Sequence, residues 1–423
     1  MASRGRGRRR RTATMLVLGL VFLAHQPTMQ GDEFYSDPNA VLVERDGRVV
    51  DRLAAERISL AYPELRGRAE VNAALDSAGA IWAAIGYSVG TQHQPPVGVE
   101  RLFCSSDGGR TWTSRPLPMT EKRNFLAFTV LADDALLLVA GIAPDDPDWR
   151  KRVTVYRSND RGETWATTCE IPCEPFEHVG EGFLSVTQLD DDTILFPVAR
   201  WTDRPEGRTL LHGVFASSDG GDTFPAVHPT FADCCEAHVI QLRSGRLLGA
   251  FRYQRPPHPD ETPDQIRALG GDPDWSHPTS GKRAKSAFKH VFLGESDDNG
   301  RTWQNLRAIR DREGRALLEF GETHGQLVEA RDGRVVLVHD RRYPYEEAHT
   351  RARVSLDEGR TWEPEIYHVS QGMGYPAGVA LPDGTLVTLT GSTRLDKSFR
   401  PIGGWQVQAV RWKLPPREEA ELR

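Results

Sequence analysis

Cysteine and methionine are scarce, at five residues each in a chain of 423. The cysteines (Cys104, Cys169, Cys173, Cys234 and Cys235) form no C-x-x-C pair and show no zinc-like spacing with histidine. No metal site is indicated, and no cofactor signature appears. Their odd number leaves at least one thiol unpaired, and a bond between adjacent Cys234 and Cys235 would close a strained ring, so they do not define a redox compartment. Long apolar runs are also missing. The one such stretch, Met15–Ala24, is too short to span a bilayer, which excludes stable membrane insertion by that segment. It follows six arginines (Arg4, Arg6, Arg8, Arg9, Arg10 and Arg11), the order of a signal peptide's basic and apolar regions. Residues 1–30 therefore read as a basic tail or signal-like segment. The expected location is secreted or periplasmic, with a cytoplasmic protein as the alternative. Excess positive charge is absent as well: the net charge is −6, and setting those six arginines aside leaves the rest near −12. An acidic body argues against nucleic acid as a partner, because phosphate backbones reward clustered Lys and Arg.

What the chain does have is repetition. The pattern S-x-D-x-G-x-T-[W/F] occurs five times, at Ser105–Trp112, Ser158–Trp165, Ser217–Phe224, Ser296–Trp303 and Ser355–Trp362. Its logic is that of a turn: Asp bonds the turn backbone, Gly supplies a positive φ, and the aromatic packs beneath. A second periodicity runs alongside. Apolar runs flank short turns after Leu75, Leu131, Leu189, Leu242, Ala330 and Leu381, at spacings of 56, 58, 53, 88 and 51 residues. These are β-hairpins by composition, and the intervals suit four-stranded propeller blades. The expectation is an all-β, six-bladed β-propeller over residues 36–415, built from four-stranded antiparallel blades. A strand near Ala40–Val50 is expected to join the C-terminal strand Trp405–Leu414 and close the ring, removing sheet edges. The 88-residue interval holds a proline-rich insertion at about residues 254–289, expected to form a rim over the central site.

The register of the repeats places side chains. Six residues before the hairpin marks lie Phe125, Phe183, Glu236, His324 and Tyr375, with Arg68 beside the corresponding Ala69. Ten or eleven residues after the marks lie Arg200, Arg252 and Arg341, with Arg342 beside the last. Equivalent positions in successive blades share one end of the channel, so these residues should surround one cavity. Guanidinium groups match carboxylates in two-bond geometry, which points to a carboxylate-bearing ligand. Taken singly, each has a plainer role: solvated arginines, a packing tyrosine, a histidine bonded to a neighbouring blade. The aspartates of the five turns are structural.

With these motifs in place, the chain resembles the sialidase (neuraminidase) superfamily from about Ala40 to Leu414, the eight-residue pattern being its Asp box, or BNR repeat. The stretch Glu236–Arg252 fits the family's inner-strand glutamate followed by a hairpin ending in arginine, and Gly374–Gly384 fits the region of its tyrosine. Arg68 matches the family's first arginine loosely, and the third is Arg341, Arg342 or Arg351. The resemblance implies an exo-acting glycoside hydrolase for a sialic-acid-like sugar on a glycan. Tyr375 would be the nucleophile, Glu236 its base, and Arg68, Arg252 and Arg341 or Arg342 the carboxylate clamp, with His324 and Arg200 also lining the site. One departure is plain. The family's general-acid Asp has no counterpart in residues 87–100, where His93 stands nearest and Glu100 lies closer to the next strand. Two other functions compete: a lyase or hydrolase on a uronic-acid polysaccharide using Tyr375 with His93 or His324, and a non-catalytic glycan-binding propeller.

Overall fold

The computed structural model describes residues 37–88, 100–117, 123–142, 152–172, 185–204, 207–278 and 280–417. Strands β1 (Ala40–Arg45) and β2 (Arg48–Ser59) open the chain as a hairpin. A first four-stranded antiparallel sheet follows, made of β3 (Arg68–Leu75), β4 (Ile81–Ser88), β5 (Arg101–Ser105) and β6 (Thr113–Pro116). The second comprises β7 (Arg123–Val130), β8 (Leu136–Ile142), β9 (Arg152–Ser158) and β10 (Ala166–Pro172). The third comprises β11 (Thr187–Gln188), β12 (Ile194–Arg204), β13 (Gly207–Ser217) and β14 (Ala226–Pro229). The fourth comprises β15 (Cys234–Gln241), β16 (Leu247–Arg255), β17 (Phe288–Ser296) and β18 (Gln304–Ala308). Next come β19 (Glu322–Glu329), β20 (Val335–Arg341), β21 (His349–Ser355), β22 (Ile366–Gln371), β23 (Ala377–Ala380) and β24 (Leu386–Gly391). A two-stranded ribbon of β25 (Arg394–Leu395) and β26 (Pro401–Ile402) then precedes the last strand, β27 (Val407–Trp412).

The result is a β-propeller of four-stranded antiparallel blades, but the blade count departs from the hairpin count. Four blades are separate sheets, whereas the remaining strands form one continuous nine-stranded sheet in the order β19-β20-β21-β22-β1-β2-β27-β24-β23. The N-terminal hairpin causes the fusion. Its β1 pairs with β22 (Leu42 opposite His368), while β2 pairs with β27 (Ala55 opposite Trp412). The segment that meets the C-terminal strand is therefore residues 55–59 of β2, beyond the expected Ala40–Val50.

Apolar layers lie between neighbouring sheets. Val139 and Val155 of the second sheet pack with Phe196 and Phe215 of the third. Val71 and Ile85 of the first pack with Val379 and Leu389 beside the C-terminal strand, joining the two ends of the chain. Both faces of these strands are buried, and alternate residues serve opposite neighbours: Leu137 and Val139 pack toward the third sheet, Leu136 and Leu138 toward the first. The five repeated turns share one hydrogen-bond network. The Ser hydroxyl accepts from the Gly N–H at 2.8–3.0 Å, and the Thr hydroxyl donates to the Asp carboxylate at 2.5–2.7 Å. Each turn also abuts the preceding sheet: a Cβ on Gly162, at φ +80°, would lie 2.5 Å from Leu102. Because Leu247 pairs with Ser296 at the foot of the fourth sheet, its turn lies at the end remote from Cys234 and Arg255. The turn aspartates are thus architectural.

Residues 256–287 form the insertion between β16 and β17, and it is docked against the fourth sheet. It carries a short helix, α1 (Pro263–Arg267), capped by Thr262. Ala287 N–H donates to Arg255 O at 2.9 Å, and Asp272 N–H donates to Ala287 O at 2.8 Å. Arg255 forms a buried pair with Glu261 at 2.5 Å.

Candidate active site

The site forms where the inner strands begin. In β15 the ladder with β16 slips between Cys235 and Ala237, which leaves Glu236 on a bulge with φ 35°. In β19 it slips between Thr323 and Gln326, which puts His324 on a bulge with φ 53°. A third slip in β7 flanks Phe125, between Asn124 and Leu126. A bulge re-aims the extra residue out of the pleat, and this turns Glu236 and His324 toward Tyr375. Tyr375 arrives differently. Its N–H donates to Ala69 O (2.9 Å) and its carbonyl accepts from Val71 N–H (3.0 Å), stitching it to β3. Gly374 makes that approach possible, since a Cβ there would sit 2.7 Å from Ala69 O.

These placements bring Tyr375 and Glu236 together. Tyr375 Oη donates to Glu236 Oε1 at 3.0 Å. Arg252 Nη1 lies 2.5 Å from Glu236 Oε2, and Arg252 Nε donates to Cys235 Sγ at 3.0 Å. The His324 ring stacks on Tyr375, with centroids 3.7 Å apart at 29°. Arg342 Nη2 donates to His324 Nε2 at 2.9 Å. On the other ring nitrogen, Nδ1 lies 2.9 Å from Asp340 Oδ1 and 3.2 Å from Gly374 O. With Nε2 accepting from Arg342, the proton sits on Nδ1, so His324 is a neutral support that holds Arg342. Arg68 completes the ring, its guanidinium carbon 5.6 Å from the Tyr375 ring centre and 5.7 Å from that of Phe399.

The electrostatics follow from burial and from these guanidinium groups. Burial alone would raise the Glu236 pKa, but the Arg252 and Arg342 charges, with the hydrogen bond from Tyr375, outweigh it and hold the carboxylate below its usual range. Tyr375 moves the other way, pushed well above the usual phenol value by burial and then by the Glu236 charge. The pair is therefore a protonated phenol against an ionised carboxylate. His324 is held well below its usual value by burial, consistent with its neutral tautomer. Burial likewise raises Asp340 to about 6. Lys289, on β17 opposite Gln254, falls to about 7 because burial and then Arg342 and Arg252 disfavour its charge.

Of the residues singled out in the sequence, Tyr375, Glu236, Arg252, His324, Arg342 and Arg68 meet at one place. Arg341 does not join them. It turns toward Glu347 (3.8 Å) and lines a neighbouring pocket. Arg351 pairs with Glu322 at 2.8 Å. Arg200 lies on β12 opposite Leu211, and its side chain, like His93, is outside the described residues. Glu100 is buried, and its pKa rises to about 7 through burial, with Glu70 adding to it. The sequence reading missed Asp340 and Lys289. Asp340 was within reach, near the end of the return strand β20 and two positions before Arg342, whereas Lys289 follows the insertion, where no repeat register applies. Among the described residues no cluster of His, Cys, Asp and Glu could hold a metal ion. No described helix is long and apolar enough to cross a membrane.

No family model matches the sequence, and no curated protein matches it. Solved structures do match in fold. A Trypanosoma rangeli sialidase bound to difluorosialic acid as a covalent intermediate aligns at TM-score 0.52 with 13% identity, over 90% of this chain and 57% of that one. The chain has the sialidase-type propeller fold. An α-L-arabinofuranosidase of Fusarium graminearum, solved with arabinobiose, shares this sialidase-type fold at TM-score 0.55 and 14% identity, over 84% of this chain and 97% of that one. A protein of unknown function from Dyadobacter fermentans aligns at TM-score 0.61 and 18% identity, over 90% of this chain and all of that one. The present chain spans little more than half the length of the trypanosomal enzyme.

Proposed function

We propose that this protein is a retaining exo-glycosidase that removes a terminal carboxylate-bearing sugar from a glycan. The single observation that carries the reading is the 3.0 Å hydrogen bond from Tyr375 Oη to Glu236 Oε1, set among Arg68, Arg252 and Arg342. A sugar with a carboxylate on its anomeric carbon would repel an anionic nucleophile, whereas a phenol is neutral until it reacts. Tyr375 Oη attacks the anomeric carbon as Glu236 takes its proton, and the bond to the leaving oxygen breaks. Water then attacks the glycosyl-tyrosine, returns the phenol and releases the free sugar. The three guanidinium groups hold the carboxylate and fix the sugar's orientation. His93 is the proposed donor to the leaving oxygen. In this reading the nine-stranded sheet serves as the fifth and sixth blades of a six-fold ring, β23 and β19 each supplying an inner edge.

The test is a screen of activated aryl glycosides of sialic acids, uronic acids and arabinose, with product identification. Free acidic sugar with retained anomeric configuration is expected. An unsaturated product absorbing in the ultraviolet would replace hydrolysis with elimination, and binding without turnover would leave a glycan-binding propeller.

A further inference from the structure

Beside the catalytic pit lies a second cavity of about 640 Å³, roofed by the insertion. Its wall carries Trp275 and Phe320, stacked with centroids 4.4 Å apart, and Tyr343, 4.9 Å from Trp275. Arg267, Arg341 and Asp272 supply polar groups. The three aromatic residues are only half-buried, and all three line the cavity. The cavity and the pit share one wall. Arg342 belongs to the pit and Tyr343 to the cavity, as consecutive residues with Cα atoms about 3.8 Å apart. Gly321 ties that wall to β17, donating its N–H to Lys289 O (2.8 Å) and accepting from Arg342 N–H (3.0 Å). An aromatic rim continues the connection. His277 Nε2 is 3.2 Å from Tyr345 Oη, and the Tyr345 ring is 4.9 Å from Phe399, which lies under Arg68.

We infer that this cavity binds the sugar unit on the leaving-group side, so that the substrate is an oligosaccharide spanning pit and cavity. A pyranose presents a C–H face and hydroxyl edges, which aromatic rings and nearby charged side chains suit together. The cavity's size lies within the range of about 300–1,000 Å³ common for small-molecule sites. Occupancy of a remote unit would help position the bond to be cleaved, so it acts on kcat as well as KM. This inference rests on the proposed glycosidase reading and deepens it.

The experiment takes the acidic sugar that is released in the aryl-glycoside screen and presents it once on nitrophenol and once on lactose. Trp275→Ala is expected to lower kcat/KM for the lactose conjugate at least tenfold further than for the nitrophenyl glycoside. Trp275→Phe, which keeps a flat face, is expected to recover part of the loss, and unchanged melting of both variants separates the effect from misfolding. Equal effects on both substrates would overturn the cavity assignment while leaving the hydrolase intact. Should the wild type release no sugar at all, the glycosidase reading fails and lactose binding decides the cavity. A saturable fluorescence change that Trp275→Ala abolishes would support it, and no saturable change would overturn it.

Discussion

Glu236 and His324 occupy equivalent bulges in adjacent inner strands, with backbone φ of 35° and 53°. Left-handed backbone at non-glycine residues costs on the order of 1–3 kcal/mol each, and such strain concentrates at functional sites. Here it aims a carboxylate and an imidazole at one phenol. Tyr375→Phe keeps the ring that stacks on His324 but removes the oxygen. A fall in kcat/KM of roughly a thousandfold or more is expected for an activated glycoside, with affinity for the free sugar within a few-fold of wild type. Because the proposed nucleophile and base would act as a unit, adding Glu236→Gln should cost little further. Turnover by Tyr375→Phe close to wild type would reject the nucleophile assignment.

Arg342 is held by His324 Nε2 at 2.9 Å, so its position depends on an imidazole that Asp340 and Gly374 orient from behind. Arg342→Ala should weaken a carboxylate-bearing sugar by about 10- to 100-fold and barely alter the binding of the matching neutral alcohol. His324→Ala should produce a smaller loss in the same direction, through a misplaced guanidinium. Calorimetric titration of both ligands against both variants measures the difference. Equal losses for the acid and the alcohol would remove the clamp.

Two limbs of the pH profile have assigned origins. Glu236 is ionised above its depressed pKa, so kcat/KM should fall only when pH drops below the usual carboxylate range. Lys289, at about 7, is a cation below neutrality and loses its charge as pH rises. KM for a carboxylate substrate should therefore climb through neutral pH. Lys289→Arg, whose charge persists, should carry that limb to higher pH. A limb that stays in place in Lys289→Arg assigns it to another group.

The turn glycines test the architecture separately from the chemistry. Gly162 combines φ +80° with a would-be Cβ 2.5 Å from Leu102. Gly162→Ala should destabilise the protein by about 2–4 kcal/mol through strained backbone and overpacking. Gly79→Ala meets no atom within 4 Å and should cost less, since only its φ of +81° is strained. Chemical denaturation of the two variants gives the comparison, and equal losses would mean that the contact with Leu102 contributes nothing.

The sequence alone determined the local devices and their phase. Hairpin turns and S-x-D-x-G-x-T loops are set by residues a few positions apart, and strand side chains alternate with a period of two. Counting from one turn therefore located Glu236, His324 and Tyr375 at the same level, at the starts of different inner strands. Only the tertiary structure decided what depends on contacts between distant segments. It chose Arg342 over Arg341 and Arg351, because that choice rests on a bond to His324 and on the course of the chain after β20. It joined β22 to β1 and β27 to β2, turning the expected last two blades into one nine-stranded sheet. It also folded residues 256–287 into a roof, where no repeat fixes the register. Such pairings join residues as far apart as Ala55 and Trp412, and packing and closure of the whole ring select them, since no short stretch of sequence records which partner will arrive.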